Sequence, residues 1–317
     1  MRVHVESSID DNHIRKFPPT SISTLSPYTG LILSVVLLVL FLIKFYVLEL
    51  FLLRKIYGTK YTKLDEVNRR GFVNHHIAGG TKMAILVIAV YPFGAVVFGK
   101  AGFHTPFAHG STVTMGDILV VVAQMLVGMF LFELIYRTKI SPISVVHHMA
   151  SILVAQAAIT ISVSANKDSS IEFLLCLVWG AFDIICEMLP HITIIAYRVY
   201  PDSHRFLATI FRAASITTFI GTVSETVVTM YFFGQLWSRW TLPFKILTPV
   251  LHVAFSAAQF HGTRIFFKLW RKQERIIRDQ RDAEKEMGEE NASSETISAR
   301  DSDSWHRDTV HEPGEQV

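Results

Sequence analysis

Residues 28–53 read YTGLILSVVLLVLFLIKFYVLELFLL, an apolar run interrupted by Lys44. A helix of about 20 apolar residues spans the hydrocarbon core of a bilayer, so this run is long enough to cross it. It is longer than the core of a signal peptide, which has roughly 7 to 15 residues, and the stretch before it holds Glu6, Asp10 and Asp11 rather than a basic leader. We therefore predict a retained transmembrane helix at this position.

Further apolar runs follow along the chain. They cover residues 82–99, 116–136, 141–164, 171–197, 206–233 and 243–270. Half of the chain is hydrophobic and 18% is charged, whereas an ordinary soluble protein is about 25% charged. The predicted fold class is therefore all-α, a polytopic membrane helix bundle of about seven transmembrane helices.

Lysine and arginine collect in alternate loops between these runs. They are concentrated at 54–70, 137–139, 198–205 and 268–281. The other loops hold little more than Lys100, Lys167, Arg239 and Lys245. Because short cytoplasmic loops carry the excess of basic residues, seven spans place the N-terminus in the lumen or outside and the C-terminus in the cytosol.

Composition also divides the chain into segments. Residues 1–27 are predicted to be a luminal tail, 28–67 the first transmembrane helix with a basic cytosolic loop, 68–272 the main membrane domain and 273–317 a cytosolic tail. The last segment is poor in large apolar residues, so burial does not offset its ordering entropy, and we expect a short helical extension followed by disorder. The net charge of +3 reflects the basic loops and predicts no nucleic-acid partner.

Ionisable side chains at membrane depth are the candidate functional residues, since each costs about 2.5 to 3.5 kcal/mol to insert. The fourth run carries His147 and His148, and the fifth carries Asp183, Glu187 and His191. At about 100° per residue, the last three share one face of a helix. We predict that this polar stripe faces protein or water rather than lipid.

Other polar groups are candidates for lining the same interior. Glu133 ends the third run and either pairs with Arg137 one turn later or points into the site. His252 and Gln259 share a face of the seventh run, as cavity-lining groups or as interhelical hydrogen-bond partners. The predicted substrate-binding lining therefore comprises Glu133, His191, His252 and Gln259.

The adjacent histidines, His147 and His148, have two further explanations. Both could be neutral and bonded to neighbouring helices, since each needs a partner in a medium that supplies few. The second explanation is a metal site that also includes His191 or His252. Adjacent residues on a regular helix aim poorly at one ion, however, and no second ligand motif fixes the geometry. We therefore expect no metal and no cofactor.

Four motifs carry a resemblance to a known family. FELIYR at 132–137, ISP at 140–142 and VHH at 146–148 together resemble the core signature of the TLC domain, which TRAM proteins and ceramide synthases share. DIICE at 183–187 is similar to the second Asp and the following Glu of the ceramide synthase motif. The resemblance covers roughly residues 68–272.

This resemblance implies a helix bundle around a lipid-sized cavity, usually in the endoplasmic reticulum. In ceramide synthases the architecture transfers a fatty acyl group from acyl-CoA to an amine. Carried over, His147 or His148 would be the general base or acyl acceptor, and Asp183 would orient the imidazole or stabilise its charged form. Glu187 would support the catalytic group from one turn away.

The chain departs from the ceramide synthase pattern at Trp179 and Gly180, where those enzymes have a His-Asp pair. We therefore expect one of the wider TLC proteins, which acts in membrane lipid metabolism or homeostasis by binding a long-chain lipid, such as a sphingolipid or a fatty-acyl lipid. It would act alone or as a homo- or hetero-oligomer. The alternative is an N-acyltransferase with acyl-CoA as co-substrate. A seven-helix receptor is a remote alternative, because the third run ends in ELIYR rather than Asp-Arg-Tyr.

Overall fold

The computed structural model describes residues 22–163, 170–240 and 242–308, with side chains except at 162, 243 and 290–308. In these ranges the chain is helical, apart from turns and one isolated bridge between Pro106 and Thr114. The α-helices are α1 Thr29–Leu42, α2 Leu53–Tyr57, α3 Thr59–Thr62, α4 Glu66–Val97, α5 Met115–Tyr136, α6 Pro142–Val163, α7 Ser170–Val199, α8 His204–Gln235 and α9 Leu242–Asp308. Short 3-10 turns cover Ser26–Tyr28 and Trp237–Arg239, and a π-helical stretch, Ile43–Leu52, joins α1 to α2.

Six helical stretches in the described residues are long and apolar enough to cross a membrane. The first is Ser26–Tyr57, which contains α1 and α2. The other five lie in α4, α5, α6, α7 and α8. The prediction of an all-α, multi-pass membrane helix bundle is therefore confirmed. The seventh predicted span, 243–270, lies inside α9 and is not one of the six, so its crossing stays a prediction.

The helices pack around α7. It contacts α4 on one side and α8 on the other, α5 packs against α4 and α1, and α9 lies along α8. The main core cluster joins buried side chains of α4, α5 and α7 such as Ile85, Leu119 and Phe173. Large apolar side chains such as Leu31 and Val253 cover the outer surface, as lipid-facing helices require.

The second span begins much earlier than predicted, at Glu66 rather than at Lys82. Asp65 caps the helix: its Oδ1 accepts the backbone N–H of Asn68 at 3.0 Å, and this hydrogen bond holds the pKa of Asp65 below its usual value. The first three turns are polar, so hydropathy did not reveal them. As a consequence, Lys82 lies in the middle of a helix and is fully buried.

The π-helical stretch explains how the first span holds two charged residues. Because its hydrogen bonds run from i to i+5, residues five apart come to the same side of the helix. Lys44 Nζ thus pairs with Glu49 Oε2 at 3.0 Å, and the Tyr136 hydroxyl donates to Glu49 Oε1 at 2.7 Å. The pairing of Lys44 with Glu49 was not predicted, since these two residues lie on different faces of a regular α-helix.

Both predicted tails have structure where they are described, and the C-terminal tail, for which disorder was expected, is helical there. In the N-terminal tail Ile22 is buried, and Ser23 Oγ donates to Asp117 Oδ1 at 2.6 Å. At the other end α9 continues to Asp308, well beyond the expected short extension. Residues 271–289 are rich in Glu, Lys and Arg, which favour helix and pair one turn apart, as Arg271 and Glu274 do at 3.5 Å. Residues 1–21 and 309–317 lie outside the described residues.

Candidate functional site

The predicted polar stripe of α7 faces the interior of the bundle. Asp183 is 7% exposed, and its Oδ2 accepts a hydrogen bond from Lys82 Nζ of α4 at 3.1 Å. Glu187 Oε2 accepts from the same amine at 2.8 Å. Two carboxylates one turn apart on α7 therefore hold one buried ammonium on α4. Lys82 was not predicted as part of this cluster because the second apolar run was taken to begin at this residue.

His147 on α6 completes this cluster. Its Nε2 lies 3.6 Å from Asp183 Oδ1, which is too far for a hydrogen bond. Neither atom has a hydrogen-bond partner among the described residues, and neither does His147 Nδ1. A buried imidazole beside a carboxylate can act as a general base, and both unpaired atoms can receive polar groups of a bound molecule. His147 therefore lies close to Asp183, as predicted.

The same cluster offers a set of metal-ligand atoms. The donor atoms of His147, Asp183 and Glu187 all lie within 4.8 Å of one another. A metal ion there would compete with Lys82, whose ammonium already neutralises charge on both carboxylates. The donor set therefore suits the ammonium of Lys82 better than a metal.

His148 is directed away from Asp183 and towards Glu133. Its Nε2 lies 3.7 Å from Glu133 Oε2, and its ring stacks on Phe130 with centroids 4.6 Å apart. Glu133 also pairs with Arg137 one turn later, which is one of the two arrangements considered for this glutamate. The two histidines contact different carboxylates because neighbouring residues diverge by about 100° on a helix.

His191, the third member of the α7 stripe, pairs with another histidine. Its Nδ1 lies 2.9 Å from Nδ1 of His75 on α4, so one ring donates and the other accepts. Its Nε2 is buried without a partner in the part of the chain that the structure describes. His75 was not predicted because it precedes the apolar run that was taken as the second span.

The predicted residues of the seventh run form interhelical hydrogen bonds. Trp179 Nε1 donates to His252 Nδ1 at 3.3 Å, and His252 Nε2 lies 3.2 Å from Thr226 Oγ1. Gln259 Nε2 donates to Glu225 Oε2 at 2.7 Å. Glu225 was overlooked in the sequence, although a glutamate inside an apolar run is the same signal that identified Asp183.

A cavity of about 60 Å³, which we call the central cavity, lies beside these groups. Its polar lining comes from four helices and comprises His147, Ser151, Trp179, Asp183, Glu225 and Gln259. His252 does not line it but lies behind Trp179. Of the four residues predicted to line a cavity around the catalytic group, only Gln259 borders the central cavity.

Two further spaces adjoin the central cavity. An apolar groove of about 380 Å³ lies between α4, α5 and α7 and has Leu126, Ala155, Cys176 and Gly180 in common with it. A polar mouth of about 210 Å³ shares His147 and Gln259 with it and is also lined by Glu133, His148, Glu187 and His191. Gly180 stands at the first junction, where a Cβ would come within 3.3 Å of Leu126 Cδ2.

Comparisons with known proteins give no relative for this arrangement. No protein-family profile, no curated protein and no solved structure matches the chain. The resemblance to the TLC domain therefore depends on the sequence motifs. Those motifs contain both pairs described above, His147 with Asp183 and His148 with Glu133.

Proposed function

We propose that this protein is a TLC-type multi-pass membrane protein that binds a long-chain lipid among its helices and acts in membrane lipid metabolism or homeostasis. The observation that carries this proposal is that the apolar groove adjoins a central cavity containing His147 and Asp183. A long-chain lipid has the same two parts, an apolar chain and a polar head.

The groove suits a hydrocarbon chain that arrives from the bilayer. Its inner wall is formed by small and apolar side chains such as Ala89, Ala123 and Ala181. Its outer edge includes Val90 and Ile185, which are 62% and 57% exposed on the lipid-facing surface. A chain can therefore enter sideways from the bilayer without crossing water.

The central cavity suits a head group that forms hydrogen bonds. An unpaired buried polar atom costs about 1 to 3 kcal/mol, and His147 Nε2 and Asp183 Oδ1 are two such atoms. A hydroxyl or amine group that lies beside both atoms, which are 3.6 Å apart, would donate to the carboxylate and contact the imidazole. Glu225 and Gln259 on the same wall add further polar contacts. Sphingolipids and other fatty-acyl lipids with hydroxyl or amide groups meet this requirement.

The cellular setting is part of the same proposal. The TLC resemblance supports the endoplasmic reticulum, and the basic loops support a luminal N-terminus and a cytosolic C-terminus. In that orientation the polar mouth, which includes Ser141 and Ser144 at the start of α6, opens towards the cytosol. Membrane lipid is the proposed partner, and a homo- or hetero-oligomer stays a prediction.

Native mass spectrometry of the purified protein tests lipid binding directly. Ala89→Trp fills the groove and should reduce bound lipid at least tenfold. Val87→Trp is the matched control, because Val87 lies on the same helix but faces outwards at 70% exposure. Equal lipid content in both variants and wild type would contradict the proposal.

An acyltransferase related to ceramide synthases is the second candidate, favoured by the 3.6 Å approach of His147 Nε2 to Asp183 Oδ1. Here His147 would take a proton from the attacking amine as the amide C–N bond forms; the thioester C–S bond of acyl-CoA would break, and the same proton would leave with CoA as its thiol. Purified protein is supplied with acyl-CoA and a long-chain amine, and the amide product is measured. If the protein is an enzyme, His147→Ala should form less amide product and still retain lipid. If it is a lipid-binding protein, wild type should form no amide and His147→Ala should lose the lipid.

A further inference from the structure

The last helix, α9, carries basic side chains along one face. Between residues 264 and 278 it has six arginine or lysine residues and a single acidic residue, Glu274. At about 100° per residue, the six lie within about 120° of the helix circumference. All six side chains are exposed. We call them the basic face: Arg264, Lys268, Arg271, Lys272, Arg275 and Arg278.

The opposite face of this segment packs against the start of α8. Phe266 is buried in a core cluster with Leu207 and Phe211 of α8. Gln273 is also buried, and its Oε1 accepts a hydrogen bond from Nδ1 of His204 at 2.8 Å. Phe266 and Gln273 point about 160° to 180° away from the centre of the basic face. The packing therefore holds the basic face on the outside of the bundle.

The contact between Gln273 and His204 sets the depth of the basic face in the membrane. α8 is one of the six candidate spans and begins at His204, so its first turn lies near one surface of the membrane. At 1.5 Å per residue, Lys268 lies about 8 Å from Gln273 on the bilayer side. Arg278 lies about 8 Å from Gln273 on the water side. The basic face therefore extends through the layer of lipid head groups.

The charge of the basic face is mostly unbalanced by the protein. Among the described residues, only Arg271 of the six has a carboxylate within ion-pair distance, Glu274 Oε2 at 3.5 Å. Residues 279–289 hold five acidic and two basic side chains, so the sign of the charge changes just beyond Arg278. The excess positive charge of α9 is therefore confined to the level of the head groups.

We propose that the basic face binds the phosphate groups of anionic phospholipids in the leaflet where α8 begins. Arginine and lysine bind phosphate through charge-assisted hydrogen bonds, and basic clusters beside a transmembrane helix attract anionic lipid. Arg264 and Lys268 can lay their apolar stems along the hydrocarbon and place their charges among the head groups. Ile265 and Phe267 are exposed beside them and offer contacts for the acyl chains. This surface lies outside the bundle and is separate from the interior cavity.

Two phospholipids with the same chains test this proposal. Delipidated full-length protein in detergent is titrated with dioleoylphosphatidylserine and with dioleoylphosphatidylcholine, and bound lipid is measured by native mass spectrometry. Wild type should bind phosphatidylserine at least tenfold more tightly than phosphatidylcholine. Arg275→Gln/Arg278→Gln should weaken phosphatidylserine binding at least tenfold, since each basic residue near the surface contributes about fivefold. Arg275→Lys/Arg278→Lys keeps both charges and should change this binding less than threefold.

Arg281→Gln/Lys285→Gln is the matched control, because it removes two exposed charges from the same helix beyond the basic face. It should change phosphatidylserine binding less than twofold. Ala89→Trp, which fills the interior groove, should also leave this binding within twofold, which separates the proposal from the proposed function.

Three results would overturn the proposal. Wild type could bind the two phospholipids equally, the two double glutamine variants could lose equal affinity, or Ala89→Trp could abolish the preference for phosphatidylserine. A fourth measurement distinguishes a lipid from a free phosphate compound. Soluble glycerophosphoserine, at the same concentration as the lipid, should displace none of the bound phosphatidylserine, and displacement would assign the surface to a soluble ligand instead.

Discussion

The ammonium of Lys82 lies 3.1 Å from the carboxylate of Asp183, although the two residues are 101 positions apart in the chain. Lys82 is fully buried, and its second partner, Glu187, lies one turn further along α7. The three side chains connect α4 to α7 beside the central cavity. Because the ammonium of Lys82 contacts both carboxylates, the cluster is sensitive to the loss of any of the three side chains.

Lys82→Met should therefore lower the free energy of unfolding by about 3 to 5 kcal/mol, because it leaves the buried carboxylate of Asp183 and the partly buried carboxylate of Glu187 without their cation. Lys100→Met is the control, since Lys100 is exposed. Unfolding of both variants is measured in the same detergent. The double variant Lys82→Met/Asp183→Leu should lose less free energy of unfolding than the two single variants lose in total. If Lys82→Met changes the free energy of unfolding by less than about 0.5 kcal/mol, as a typical surface substitution does, the ion pairs of Lys82 do not stabilise the fold.

Tyr136→Phe tests the ion pair of the π-helical stretch. The variant removes only the hydroxyl that donates to Glu49, and hydrogen bonds to charged groups contribute about 1.5 to 3 kcal/mol. The free energy of unfolding should fall by that amount. Tyr91→Phe removes the same atom at an exposed position and should change the value by less than about 0.5 kcal/mol. Equal effects of the two substitutions would argue against the Glu49 contact.

Hydropathy and helical geometry predicted much of this arrangement. Apolar runs located the spans, and the 100° rotation per residue placed Asp183, Glu187 and His191 on an inward face, which the contacts of all three confirm. The insertion cost of charged groups also singled out His147 and His148. These inferences succeeded because they depend on periodicity and burial within one helix.

Contacts between distant helices were not predictable in this way. Lys82 and His75 were hidden because the first turns of α4 are polar and the apolar run begins after them. Lys44 and Glu49 meet only because the helix is locally π-helical, which the sequence pattern does not reveal. The partners of His148 and His252 follow from the packing of α5, α7 and α8, which hydropathy does not specify.

His147→Phe should separate binding from stability. The substitution keeps an aromatic ring but removes two buried nitrogens that have no hydrogen-bond partner within the described chain. The temperature of unfolding should therefore stay the same or rise. Bound lipid should fall about tenfold, because losing one hydrogen bond of about 1.4 kcal/mol weakens binding by that factor. The exposed His109→Phe is the control, and both variants are compared by thermal unfolding and lipid analysis. Loss of stability with unchanged lipid content would assign His147 a structural role only.

Membrane orientation can be tested with single added cysteines. Thr112→Cys lies between α4 and α5, and Lys63→Cys lies before α4 in the basic loop; both positions are exposed. An impermeant thiol reagent added to sealed microsomes with the cytosolic face outwards should label Lys63→Cys and leave Thr112→Cys unlabelled until detergent is added. Wild type, with Cys176 and Cys186, gives the background. Labelling of both cysteines from one side would contradict the proposed topology.

The central claim is that a long-chain lipid lies inside the bundle, and photo-crosslinking tests it most directly. Cells are fed a fatty acid with a photoactivatable group in its chain, and the protein is purified after illumination and digested. The adducts should map to groove residues of α4 and α5, such as Ala89 and Ala123, and Ala89→Trp should remove them. Adducts confined to outward-facing residues such as Leu31 and Leu38, and unchanged in Ala89→Trp, would place the lipid on the outer surface and contradict the account.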